Sequence, residues 1–141
     1  MPESLAELLV IEDSPEDFEA TRRSLVRGGL VNPIVHLADG DAALDYLLNG
    51  KPGVPALILL DLNLPGTDGR QVLARVKDHP KLREVPIVVL TTSRDERDIR
   101  ACYRAGANSY IQKPVDLAGF QRALKTLREY WFDVVVLPGR G

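Results

Sequence analysis

The sequence predicts an α/β protein built on one open parallel sheet, and three observations carry that prediction. Short apolar runs alternate with longer stretches whose apolar residues recur every three or four positions. The runs Leu8-Leu9-Val10-Ile11, Ala56-Leu57-Ile58-Leu59-Leu60 and Ile87-Val88-Val89-Leu90 are unbroken by polar residues, the pattern of strands covered on both faces. Chemically able residues follow such runs: Glu12-Asp13, Asp61, Thr91, and Lys113 after Tyr110-Ile111-Gln112. In a parallel sheet those ends share one edge, which is where open α/β folds bind ligands.

Taken in order, strands are expected at Glu7–Ile11, Pro33–Leu37, Ala56–Leu60, Pro86–Leu90 and Ser109–Ile111. The first helix follows Ser14 as cap, with Pro15 in its first turn and Asp17 closing a capping box. Gly28-Gly29 ends it. Leu44, Leu47 and Leu48 mark a second helix stopped by Asn49-Gly50, and Val72, Leu73 and Val76 mark a third, entered through Pro65-Gly66-Thr67. Ser93 and Glu96 predict a capping box for the fourth, with Ile99, Cys102 and Tyr103 as its buried stripe and Gly106 as its stop. Asp116 caps a fifth helix that faces inward through Leu117, Phe120, Leu124 and Leu127. Five βα units occupy residues 7–130, after a short tail over 1–6 and before an extension over 131–141.

Composition narrows the function. At 141 residues with 45% hydrophobic and 27% charged side chains, the chain suits one domain with a real core. A net charge of -2 without any basic stripe argues against nucleic-acid binding. Cys102 is the single cysteine, which removes an internal disulfide and most thiolate metal sites. Its place on the helix stripe makes it core. His36 and His79 lack ligand-spaced partners. With no basic start, no secretory apolar segment and no run approaching ~18 apolar residues, the expectation is a cytoplasmic protein that does not bind membranes.

Four segments together resemble a known family. Val10-Ile11-Glu12-Asp13, Leu59-Leu60-Asp61-Leu62-Asn63-Leu64-Pro65-Gly66, Val89-Leu90-Thr91-Thr92 and Ser109-Tyr110-Ile111-Gln112-Lys113-Pro114 stand in the order and spacing of receiver domains of two-component response regulators. Asp61-Leu62-Asn63-Leu64-Pro65, Thr91-Thr92-Ser93 and Tyr130-Trp131-Phe132 are similar to the single-domain regulators associated with bacterial and cyanobacterial phytochrome kinases. The resemblance implies a flavodoxin-like, doubly wound sheet of order 2-1-3-4-5 with five helices.

It also implies the chemistry. Asp61 matches the phosphoacceptor, a carboxylate nucleophile toward a kinase phosphohistidine. Glu12, Asp13 and Asp61 crowd like charges, which repel by about 4 kcal/mol at ~4 Å and an effective dielectric of ~20, so a hard cation such as Mg2+ is expected there. Asp13 and Asp61 match direct ligands, Glu12 one acting through water, and Asn63 a backbone carbonyl donor. Lys113 and Thr91 match the groups that hold the phosphoryl oxygens. Thr92 stands where the family usually has a smaller residue. Tyr110 matches an aromatic switch residue, and Pro114 allows a cis peptide, since cis X-Pro costs only ~0.5–1 kcal/mol. The expected partner is a sensor histidine kinase, a bacteriophytochrome by subfamily, and the expected role is phosphoacceptor and protein binder with self-phosphorylation and self-dephosphorylation chemistry rather than turnover enzyme.

Two alternatives stay open at this stage. A haloacid-dehalogenase-like phosphatase also uses an Asp nucleophile, a hydroxyl, a Lys and Mg2+. Its order of motifs differs, however, and the acid it needs two residues after the nucleophile is here Asn63. An unphosphorylated scaffold of the same fold would have no reason to gather such charge. Lastly, Trp131-Phe132-Asp133-Val134-Val135-Val136-Leu137-Pro138 is apolar except at Asp133. Its three valines favour an extended arm, expected to join a second copy into a homodimer beside the fifth helix through Trp131, Phe132, Val134, Val135, Val136 and Leu137.

Overall fold

The computed structural model describes residues 5–50 and 54–138. The expected tail and extension therefore lie partly outside the described residues, at 1–4 and 139–141. Five strands, β1 (Leu8–Ile11), β2 (Ile34–Leu37), β3 (Leu57–Leu60), β4 (Ile87–Thr91) and β5 (Ser109–Gln112), form one sheet of order β2-β1-β3-β4-β5. Every pairing is parallel, as the crossovers require. The chain crosses from β1 to one edge and then returns to the other side of β1, so strand order reverses there and opens a crevice beyond the ends of β1 and β3.

The three inner strands are buried at every position, whereas the edge strands β2 and β5 are half-buried, with Gln112 at the end of β5 exposed. Alternation sorts the side chains into two cores. Leu9, Ile11, Ile58, Leu60, Ile87 and Val89 point to the layer of α2 (Gly40–Asp45), α3 (Gly69–Lys77) and α4 (Glu96–Ala105). Leu8, Val10, Leu57, Leu59 and Val88 point to α1 (Pro15–Arg27) and α5 (Leu117–Arg128), where Leu25 and Leu127 meet them. Each such Leu or Ile stabilises the fold by about 1.5–3 kcal/mol on full burial. Cys102 is part of the first core, as expected, and burial raises its thiol pKa.

Helix starts follow local chemistry with two corrections. Ser14, Asp39, Asp68, Asp95 and Asp116 cap the five helices, each accepting a backbone N–H. Asp17 does not close a capping box; its carboxylate is drawn to Lys113 instead. For α4 the cap is Asp95, while the Ser93 hydroxyl donates to Asp98 at 2.6 Å. Tyr103 and Leu117, expected inside, are 49% and 61% exposed: Tyr103 follows the buried Cys102 by one position and so turns off the buried face, and Leu117 is the first residue of α5, a turn before the buried Phe120. The second helix is α only to Asp45 and continues as a π-helical turn, Tyr46–Gly50. No peptide bond among the described residues is cis, so Lys113–Pro114 is trans.

The extension departs from the expected arm. Helix α5 runs on without a break into a π-helical segment, Glu129–Val134, and the Val135 N–H donates to the Tyr130 carbonyl at 2.8 Å. Trp131 and Phe132 pack against the core of Leu25 and Leu127 within their own chain. Burying two aromatic rings outweighs the β-preference of the following valines, because tertiary contact routinely overrides propensity. Only at Val135 does the backbone become extended, and among the described residues the segment after it pairs with no strand. Val134 and Val136 are 69% and 94% exposed.

Candidate functional site

Register brings the predicted residues together. Ile11 pairs with Leu60 and with Leu37, and three ladder hydrogen bonds run one residue past the strand ends. The Glu12 N–H donates to Leu37, the Asp61 N–H to Ile11 and the Lys113 N–H to Thr91, at 3.0, 3.0 and 2.7 Å. The backbone thereby sets Glu12 and Asp61 at the ends of adjacent strands and Lys113 two strands further along, before any side-chain interaction is counted. Thr91 is itself the last residue of β4.

Gly69 holds the segment after Asp61 close to α3. Its N–H donates to the Leu62 carbonyl at 2.9 Å, and a β-carbon there would lie 2.3 Å from the Asp61 carbonyl oxygen. Only a residue without a side chain permits that approach. The Asn63 N–H donates to Asp61 Oδ1 at 3.3 Å, which orients the carboxylate.

Lys113 Nζ donates to Glu12 Oε1 at 2.6 Å, Asp17 Oδ2 at 2.8 Å and Asp61 Oδ2 at 3.1 Å. All three ammonium protons are used. Glu12, Asp61 and Lys113 are buried, and Asp13 is exposed at the rim. Burial pushes the Glu12 carboxyl up to about 7; Asp61 adds to the rise, while Lys113 opposes it. Burial acts to lower the Lys113 pKa, but hydrogen bonds to Asp17 and Glu12 and the Asp61 charge outweigh it, so the ammonium stays charged. Glu12 is therefore a carboxyl that sheds its proton reluctantly next to a firmly charged lysine.

Glu12, Asp13 and Asp61 each offer a carboxylate oxygen within 4.8 Å of the others. Such a donor set suits a hard divalent cation, and one ammonium does not neutralise four neighbouring carboxylates. The residues fit the ion that the resemblance implies. The Thr91 hydroxyl is fully buried and has no hydrogen-bond partner among the described residues. A buried hydroxyl left unpaired costs about 1–3 kcal/mol, and an incoming oxygen anion would supply the missing acceptor.

Thr92 is exposed, beside Lys113 and Pro114 in a cleft that also reaches Asp17. Tyr110 is half-buried and donates its hydroxyl to the Ser93 carbonyl at 3.0 Å, tying β5 to the loop after β4. The structure thus gathers Glu12, Asp13, Asp61, Asn63, Thr91, Thr92 and Lys113 at one edge, with Tyr110 one layer behind. Sequence reasoning missed two supports. Asp17 lies in the first turn of α1, where the sequence offers only a capping role and gives no sign of Lys113, 96 residues away. His36 Nε2 lies 2.7 Å from the Glu12 carbonyl and so carries its proton, and the ring stacks on Phe18 at 3.8 Å; no sequence signal foretold that pairing.

Comparison with known proteins agrees with this geometry. Residues 8–125 match the family model described as the response regulator receiver domain. Among curated proteins, the probable methanogenesis regulatory protein FilR2 of Methanothrix harundinacea is 38% identical, covering 94% of this chain and 87% of its own. Response regulator Rcp1 of Synechocystis is 38% identical over 93% of this chain and 92% of its own. The crystal structure of the Mn2+-bound form of Rcp1 superposes with a TM-score of 0.91 at 36% identity, covering 96% of this chain and 100% of that one. The phosphorylated cyanobacterial phytochrome response regulator RcpA gives 0.89 at 35% identity, with the same coverage. The chain belongs to the response regulator receiver family and is related to the phytochrome response regulators.

Proposed function

We propose that this receiver accepts a phosphoryl group on Asp61 from a sensor histidine kinase and signals by binding other proteins. The observation that carries the reading is the buried Asp61 carboxylate held by a charged Lys113, with a buried Thr91 hydroxyl at the end of the neighbouring strand that lacks a partner among the described residues. An Asp61 oxygen attacks the phosphorus of the donor's phosphohistidine. A P–O bond forms, the P–N bond breaks, and its electron pair stays on the ring nitrogen. Lys113 holds one phosphoryl oxygen and Thr91 donates its hydroxyl to another, each placed where negative charge is delivered.

A divalent cation, Mg2+ in this proposal, would be held by Asp13 and Asp61 with the Asn63 carbonyl and, through water, by Glu12; bound there, it would offset the charge of the transferring group. The protein is then a self-modifying phosphoacceptor rather than a turnover enzyme. Movement of Thr91 toward the phosphoryl group would pull on the loop that Tyr110 grips through Ser93, which makes Tyr110 the reporter of the switch. The similarity to RcpA supports a phytochrome kinase as donor.

With acetyl phosphate and Mg2+, wild type should gain one phosphoryl group by intact-mass spectrometry and Asp61→Asn none. Undiminished labelling of that variant would sink the reading. Phosphotransfer profiling against purified histidine kinases then identifies the donor.

We also propose a homodimer. Trp131 and Phe132 are committed to their own core, so the contact narrows to Val134 and Val136 beside α5. Light scattering should show a dimer in wild type and a monomer in a Val134→Lys, Val136→Lys double variant. A monomeric wild type at tens of micromolar would end this proposal.

A further inference from the structure

Asp17 belongs neither to the acidic trio nor to any helix cap. Its side chain is 41% exposed, yet its carboxylate reaches the buried Lys113 ammonium at 2.8 Å, closer than Asp61 at 3.1 Å. It sits in the first turn of α1, and its backbone N–H, not its side chain, completes the Ser14 cap. Among the described residues the carboxylate hydrogen-bonds to Lys113 and makes no hydrogen bond within the helix.

An ammonium has three protons to give. Here one goes to Asp17 and two to Glu12 and Asp61, members of the same trio that can hold a cation. An ammonium and a divalent cation compete for those oxygens, so where Lys113 rests decides how much carboxylate remains for the ion.

We infer that Asp17 is a positioning residue that draws Lys113 toward α1 and so keeps Glu12 and Asp61 available to a divalent cation. The inference rests on the cation-binding role proposed above. Asp17 acts through Lys113 and touches neither the ion nor the phosphoryl group. Without its charge, the ammonium settles more fully on Glu12 and Asp61 and screens them.

The test is Mg2+ titration by calorimetry on the unphosphorylated full chain. Asp17→Asn is nearly isosteric and leaves the backbone cap intact. It should bind Mg2+ roughly fivefold more weakly, the scale of one part-exposed ion pair. Asp17→Glu, which keeps the charge, should bind nearly as wild type. In acetyl phosphate labelling, Asp17→Asn should need more Mg2+ for half-maximal rate but reach the wild-type rate at saturation, a split that a merely structural loss would not produce. In a Lys113→Met background, Asp17→Asn should have little further effect on affinity. Unchanged Mg2+ affinity in a folded Asp17→Asn protein, judged by its thermal transition, would overturn the inference, as would an undiminished effect without Lys113. A wild type that binds no Mg2+ would overturn the proposed cation role as well, so the two failures are told apart.

Discussion

Lys113 and Lys77 sit at opposite edges of the sheet, and each offers its ammonium to three oxygens. Lys77 Nζ donates to the carbonyls of Arg83 and Val85 at 3.1 and 2.7 Å and to Asn108 Oδ1 at 3.2 Å. Those acceptors are neutral, and burial lowers the Lys77 pKa. Asn108 Oδ1 also accepts the Ile87 N–H at 2.9 Å, so this edge is stitched from α3 to the starts of β4 and β5. Lys113 meets three carboxylates, with Asp13 close by, and is held charged. The neutral set is satisfied and closed. The acidic set carries more negative charge than one lysine can match, and an orphaned Thr91 hydroxyl beside it. The difference teaches that what a lysine leaves open at a sheet edge follows from the charge of its partners, not their number.

Removing the two amines in turn breaks that comparison most severely. Lys113→Met should lose about 3 kcal/mol in the cation-free protein, the scale of a buried ion pair deprived of one member. Mg2+ should restore part of that loss. Lys77→Met should lose only about 1–2 kcal/mol through unmet acceptors, with the ordinary response to Mg2+. Urea unfolding with and without the ion measures both, and equal Mg2+ responses would erase the distinction.

Glycines sharpen it next. A β-carbon at Gly69 would collide with backbone of Asp61 and Leu62 at 2.3 and 2.6 Å. Gly69→Ala should therefore cost about 1–3 kcal/mol as overpacking and also weaken Mg2+ binding, since Asp61 must shift. At the other edge Gly106 has φ 108° and faces the flexible side chain of Lys77. Gly106→Ala should cost about 1 kcal/mol from backbone strain and leave Mg2+ affinity unchanged. Thermal melts paired with calorimetry separate the outcomes; intact ion binding in Gly69→Ala would show that the β3–α3 loop does not set the site.

The smallest effect concerns pH. A hydrogen-bonded Arg70 guanidinium, helped by the Ser93 hydroxyl, holds Asp98 down at about 2, below its ordinary 3.8. A depressed folded pKa stabilises the protein above pH 3.8, and that part is lost as pH falls toward 2. Because the pair is partly solvated, the loss should stay under about 1 kcal/mol. Urea midpoints at pH 4 and 2 should fall less in Asp98→Asn than in wild type; equal falls would remove this pair from the site edge's acid response.

The sequence by itself determined a parallel sheet, its strands to within a residue, and the set Glu12, Asp13, Asp61, Thr91 and Lys113 at one edge, while the strand order came from the family resemblance. It could do so because parallel strands turn a linear fact, the residue that ends an apolar run, into a spatial one. Strand ends in register are neighbours whatever the side chains do. The helical faces were legible at their centres, as at Val72, Leu73 and Leu124, but not at their margins, where Tyr103 and Leu117 turned outward. A helix stripe shades gradually into its solvent side, and only the neighbour's position draws the line. Tertiary structure alone decided that Asp17 serves Lys113 rather than a capping box, since local and distant partners compete for one carboxylate. It likewise decided that Trp131 and Phe132 turn onto their own core. Local propensity measures a residue against its immediate chain, whereas burial against Leu25 and Leu127 depends on segments that meet only once the sheet is closed.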